Sequence, residues 1–171
     1  GNPCGGNPCA GNPCGGGNPC AGNPCGGGNP CAGNPCGGGN PCAAAHTPDF
    51  SGWKGWTKVN AARFVSKGHR SAWVDVYVDS AAVADKYNAK SGPYPVGARI
   101  AKVQYKSADD TTPVAITAMV KMAAGYDDEN GNWWYGVYDA SGTKAMKAGK
   151  IDMCINCHDQ ASDRDYVFGP K

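Results

Sequence analysis

Five residues near one end of the chain carry the chemistry: Cys154-Ile155-Asn156-Cys157-His158. Two thiols three positions apart lie on one face of a helix, about one turn apart. They can therefore reach the two vinyl groups on one edge of a porphyrin. His158 follows the second thiol and is carried under the ring. There a neutral imidazole nitrogen ligates iron, provided a second group fixes its tautomer. The pattern is the attachment signature of a c-type haem. Cys-x-x-Cys also serves zinc sites and thiol redox sites. Zinc wants a second close pair of ligands, and neither His46 nor His69 has a ligand neighbour at metal spacing. Both histidines are expected on the surface or in a linker. A thioredoxin-like motif would open a helix after a strand in a βαβ unit, and no such unit is apparent. Covalent haem c is therefore the expected cofactor, with Cys154 and Cys157 as thioether residues and His158 as the proximal iron ligand.

These residues need a helix, and the helix needs a sheet to pack on. Trp53, Trp56, Val59 and Phe64 recur at helix-like spacing and predict a short amphipathic helix. Ser71 to Asp79 alternates, with Ala72, Val74, Val76 and Val78 on one side, and predicts a strand with one dry face. Ser80 is placed to cap a helix from Ala81 to Lys90. Further strands are expected over Ala98–Lys106, Pro113–Met122 and Trp133–Asp139, separated by turns at 91–95, 126–132 and 139–142. The haem helix closes the chain. The fold class is α+β: a mostly antiparallel sheet with packed helices and a C-terminal haem-bearing helix. Lys102 shares a strand face with Ala98 and Ile100, so it must reach solvent along its stem or find a partner. Lys121 lies opposite Val120 and Met122 and is expected to be exposed. Met119, Met122, Met146 and Met153 are candidate sixth ligands, although methionines at such positions usually belong to the core.

Composition divides the chain in two. Residues 1–43 hold only Gly, Asn, Pro, Cys and Ala, while residues 44–171 hold every charged and aromatic residue. The second part is long enough for one domain with its own core. The first repeats Gly-Asn-Pro-Cys, with Cys4, Cys9, Cys14, Cys20, Cys25, Cys31, Cys36 and Cys42 five or six residues apart. Pro fixes φ and extends the Asn before it, which excludes an α-helix and leaves a polyproline-II-like rod or a narrow solenoid. No apolar residue larger than Ala and Pro is available to bury, so hydrophobic collapse cannot order it. Eight regular cysteines predict a disulfide-stapled element; a flexible tether and a metal-binding thiol array are the alternatives. A stapled rod packed between subunits would join copies head to tail into a filament, with interchain disulfides as a variant.

The ten cysteines and covalent haem together predict an extracellular or cell-surface location, or alternatively a periplasmic one. The opening Gly-Asn-Pro-Cys is what processing of a longer precursor would leave. A formal charge of +2 is too small to argue for nucleic acid or an anionic membrane surface. No run approaches 18 apolar residues, so no membrane span is expected.

Four segments carry a resemblance: GHRSAWVDVYVDSAAVADKY, YPVGARIAKVQY, VAITAMVKMAAGYDDENGNWWYGVYDASG and CINCHDQASDRDYVF. They cover most of residues 68–168 and resemble the cytochrome P-460 family; residues 1–43 lie outside the likeness. The resemblance implies a β-sheet fold, often dimeric, holding one c-type haem on Cys154, Cys157 and His158. In members that oxidise hydroxylamine, a lysine is cross-linked to the porphyrin, five residues after a glycine. Here that glycine is Gly97, and the matching residue is Lys102. A carboxylate for proton transfer is also implied, but no motif places it.

Three functions follow as expectations. The first is an extracellular monohaem cytochrome for electron transfer or small-ligand binding, strung into a homopolymer by the repeat. The second is an oxidoreductase acting on hydroxylamine or nitric oxide at an open iron, with Lys102 cross-linked. The third is a structural fibre in which haem is incidental. A sixth ligand on iron favours the first, and an open position favours the second.

Overall fold

A computed structural model describes residues 47–170. The Gly-Asn-Pro-Cys repeat, its eight cysteines and His46 lie outside the described residues. So do the expectations of a rod, disulfides and a filament contact.

The described chain builds one antiparallel sheet of seven strands. They are β1 (Thr57–Lys58), β2 (Phe64–Ser66), β3 (Ala72–Val78), β4 (Arg99–Tyr105), β5 (Ala115–Lys121), β6 (Trp133–Tyr138) and β7 (Ala145–Gly149). Their order is β1-β3-β4-β5-β6-β7, with β2 also pairing β3. Helix α1 (Ala81–Ala89) connects β3 to β4, and α2 (Asp152–His158) follows β7. No described helix is long and apolar enough to cross a membrane.

Alternation places the side chains. In register, Val78, Ile100, Met119 and Tyr135 form one row across β3 to β6, and Val76, Lys102, Thr117 and Val137 form the next on the same face. The opposite face carries Tyr77, Ala101, Ala118 and Gly136 in register. Both faces are covered. Val83, Ala84 and Tyr87 of α1, with Tyr94 and Val167, complete a core on the first face. Phe50 and Trp53 complete a second core with Val103, Ile116, Trp134 and Tyr138. The single dry face expected for β3 is therefore corrected: Asp75, on the other side of that strand, is only 2% exposed.

Helix α1 forms where Ser80 predicts it, since Ser80 Oγ accepts from the Val83 N–H. The helix expected over Trp53–Phe64 does not form. A 3-10 turn at Ser51–Gly55 gives way to β1 and β2. Gly52 and Gly55 weaken a helix there. Asn60 supplies the competing bonds: its Oδ1 accepts from the Val76 N–H at 2.7 Å, and its Nδ2 donates to Asp75 Oδ1 at 3.1 Å. Strand β7 was absent from the expected order; it extends the sheet by pairing with β6 immediately before α2.

Candidate haem site

Helix α2 begins after β7 and carries all three motif residues. Cys154 and Cys157 are free thiols, both half-buried. They line one cavity of about 250 Å3 together with His158. Its walls come from β3, β4, β5 and β6, the Lys67–His69 turn and the segment after α2.

His158 is 8% exposed and packs between Tyr135 and Phe168, with ring centroids at 5.3 and 5.4 Å. Its Nδ1 lies 2.7 Å from the Tyr166 carbonyl oxygen. A carbonyl can only accept, so Nδ1 carries the proton and Nε2 keeps a lone pair. Burial pushes the His158 pKa down to about 4; the Tyr166 carbonyl opposes this, and the Lys102 ammonium adds to it. At neutral pH the ring is a neutral imidazole with a fixed tautomer, the form that ligates a metal.

The Tyr166 carbonyl is held by a clamp that sequence periodicity does not reveal. Asp165 and Tyr166 both adopt left-handed backbone conformations, at φ 54° and 65°. Lys121 Nζ donates to Asp165 Oδ1 at 2.5 Å and Oδ2 at 2.7 Å, and to the Gly131 carbonyl at 2.8 Å. Asp165 Oδ2 also accepts from the Tyr94 N–H, and the Asp165 carbonyl accepts from Trp133 Nε1, each at 2.8 Å. Gly131 is required beside this loop: a Cβ there would sit 2.5 Å from the Tyr166 ring, at a φ of +68°. Lys121 thus lies on the face expected but is not exposed. Its side chain is 11% accessible, because the Asp165 loop covers that face.

Lys102 lines the cavity beside Thr117, its neighbour on β5. Met119 lines it too, whereas Met122 packs against the second core and Met146 and Met153 are exposed. His69 corrects another expectation. It is not a bystander on the surface but lines the same cavity, with Nδ1 2.7 Å from Ser66 Oγ. Burial, then Lys102 and His158, push its pKa down to about 3. No periodic pattern marks His69, because it ends a short turn.

The donor set fits a haem better than zinc. Burial, then the neighbouring Cys157, raise the pKa of the Cys154 thiol. Among the described residues, no group of three or more His, Cys, Asp or Glu is placed to hold a metal ion. Thr117 Oγ1 and Tyr135 OH are buried without a partner, and both residues line the cavity. Such atoms cost about 1–3 kcal/mol each when left unsatisfied. A wall that combines them with Ile100, Met119, Val167 and Phe168 suits a large, mainly apolar occupant with polar edges.

No curated protein matches the chain. A family model, Cytochrome P460, matches residues 50–169, which include every strand and both α-helices of the described residues. Fold, cavity and Cys-x-x-Cys-His helix all lie within that span, and the chain belongs to the cytochrome P460 family, whose members typically bind covalent haem c.

Proposed function

We propose that the protein is an extracellular c-type monohaem cytochrome serving electron transfer or small-ligand binding. One observation carries the reading: two free thiols and a histidine with its Nε2 lone pair available line one cavity. Cys154 and Cys157 would hold the haem through thioethers, each by addition of its S–H across one vinyl group, and His158 Nε2 would ligate the iron while the Tyr166 carbonyl keeps the proton on Nδ1. Bound haem supplies a one-electron iron couple and a metal to which a small molecule such as nitric oxide attaches.

The test is covalent retention. Native protein should give a pyridine haemochrome after acid–acetone extraction. Cys154→Ser/Cys157→Ser should lose essentially all of it, and either single variant should keep a fraction with a red-shifted α band. Haem absent from native protein, or retained covalently by the double variant, sinks the proposal.

The repeat, in this reading, joins copies of the chain through disulfides among its eight cysteines. Native protein should then elute from a sizing column as a large assembly and shift to smaller species with reductant; a monomer under both conditions refutes it. A second reading, oxidation of hydroxylamine with Lys102 cross-linked to the ring, rests on the place of Lys102 in the cavity wall. An ordinary c-type optical spectrum counts against that cross-link.

A further inference from the structure

The turn between β2 and β3 meets the attachment helix at a residue with no side chain. Gly68 is the middle residue of the Lys67–His69 turn and lines the cavity together with Cys157. A Cβ added to Gly68 would stand 3.4 Å from Cys157 Sγ. Leaving aside its chain neighbours, no other atom of the described residues lies within 4 Å of that point. The backbone does not ask for glycine here, because Gly68 lies outside the left-handed conformation that Arg70 and Ser71 adopt. What glycine leaves at this position is room, and the room adjoins one sulfur.

Neither side of the contact is free to retreat. Ser66 is 6% exposed, pairs in register with Ala72, and its Oγ lies 2.7 Å from His69 Nδ1, so the turn is tied to the sheet at both ends. On the other side, Cys157 precedes His158, whose Nδ1 is bonded to the Tyr166 carbonyl. Moving the thiol away from the turn would pull His158 off that anchor. Surroundings fixed on both sides absorb added methyl groups poorly.

Thioether formation enlarges the same sulfur. When the Cys157 S–H adds across a vinyl group, sulfur bonds the carbon next to the ring and the hydrogen goes to the terminal carbon, which becomes a methyl group. Nothing is released and no oxidant is needed. The sulfur then carries a branched carbon where it carried a hydrogen. We infer that Gly68 is the positioning residue for the second thioether: by lacking a side chain, it keeps clear the approach to Cys157 Sγ that this bond needs. The inference rests on the haem c reading above. A side chain at position 68 would meet Cys157 and not Cys154, so the two thioethers are separable.

The measurement is the attachment state of Cys157 in the full chain, produced with haem attachment. The pyridine haemochrome spectrum is read beside alkylation of the denatured protein, mapped by peptide mass spectrometry. Native protein should show the two-thioether α band and no alkylation at Cys154 or Cys157. Gly68→Ala, whose Cβ only touches the sulfur, should stay close to native. Gly68→Val should hold its haem through Cys154 alone, with a red-shifted α band and alkylation at Cys157. In Cys157→Ser, which has only the Cys154 thioether to lose, adding Gly68→Val should change neither haem content nor band. A native band with Cys157 unalkylated in Gly68→Val overturns the inference. So does alkylation at Cys154 instead, or loss of haem when Gly68→Val is added to Cys157→Ser, since either reports distortion of the turn rather than crowding of one sulfur. No covalent haem in native protein defeats the underlying reading, whereas two-thioether haem in native protein and Gly68→Val alike defeats this inference alone.

Discussion

Asp165→Ala is expected to cost about 3–5 kcal/mol of stability, the usual result of leaving one member of a buried ion pair without its partner. Lys121 and Asp165 have side chains only 11% and 12% accessible, so neither charge is well solvated. Without the carboxylate, the Lys121 ammonium keeps the Gly131 carbonyl and its place over the Trp133 ring but no counter-charge, and the Tyr94 N–H loses its acceptor. For a domain of this size the change corresponds to a fall of roughly 10–20 °C in melting temperature. The second consequence is at the site. Asp165 precedes Tyr166, and the Tyr166 carbonyl accepts the His158 Nδ1 proton. That bond makes the imidazole a stronger donor, which favours ferric iron. Loosening it should raise the midpoint potential of the haem-loaded protein. Removing both charges in Lys121→Met/Asp165→Leu should recover part of the stability and none of the potential shift. Calorimetry and redox titration on these variants check both halves. A loss below about 1 kcal/mol would mean that the pair is not effectively buried.

The clamp marks the limit of what the sequence discloses. Strands β3, β4, β5 and β6 were legible because their side chains alternate over six or seven residues. Helix α1 was legible from its Ser80 cap, and the cofactor from five consecutive residues. Alternation assigns residues to two faces but does not say what covers each face. Hence Lys121 was assigned to the right face and the wrong environment, since Asp165 reaches it from 44 positions away. Asp75 was misread for the same reason. The spacing of Trp53, Trp56 and Val59 imitates a helix, because residues that anchor to a core from a turn can recur by chance at intervals of three. Strands β1, β2 and β7, of two, three and five residues, carry too little pattern to detect. His69 became visible only when the pairing of β2 with β3 fixed Ser66 and the turn after it.

Asp75→Asn provides the control on the other face of the sheet. Asp75 Oδ1 pairs with Lys58 at 2.9 Å, Oδ2 takes the Arg63 Nη2 and Nε protons at 2.9 and 3.1 Å, and Asn60 donates to Oδ1 at 3.1 Å. Its partners are less stranded than Lys121 would be. The Lys58 side chain is 39% accessible and can turn to water. Arg63 keeps the Ser107, Ala108 and Asp110 carbonyls and lies 3.4 Å over the Tyr105 ring. The expected cost is therefore smaller, about 1.5–3 kcal/mol, the range for hydrogen bonds to a charged group. Burial alone would raise the Asp75 pKa, but the bonds from Lys58, Arg63 and Asn60 outweigh it and hold the carboxyl below its ordinary 3.8. A folded pKa below the unfolded one means that the contribution is present above about pH 3.8 and lost as pH falls through the folded value. Asp75→Asn should accordingly flatten the acid limb of urea-midpoint against pH. Asp75 lies in register with Val103 and Ile116, on the face opposite Val76, Lys102 and Thr117, so midpoint potential and ferric spectrum should stay native. If Asp75→Asn moved the potential as far as Asp165→Ala, the shift would report general loosening of the sheet, and the link from Lys121 through Asp165 and Tyr166 to His158 would fail.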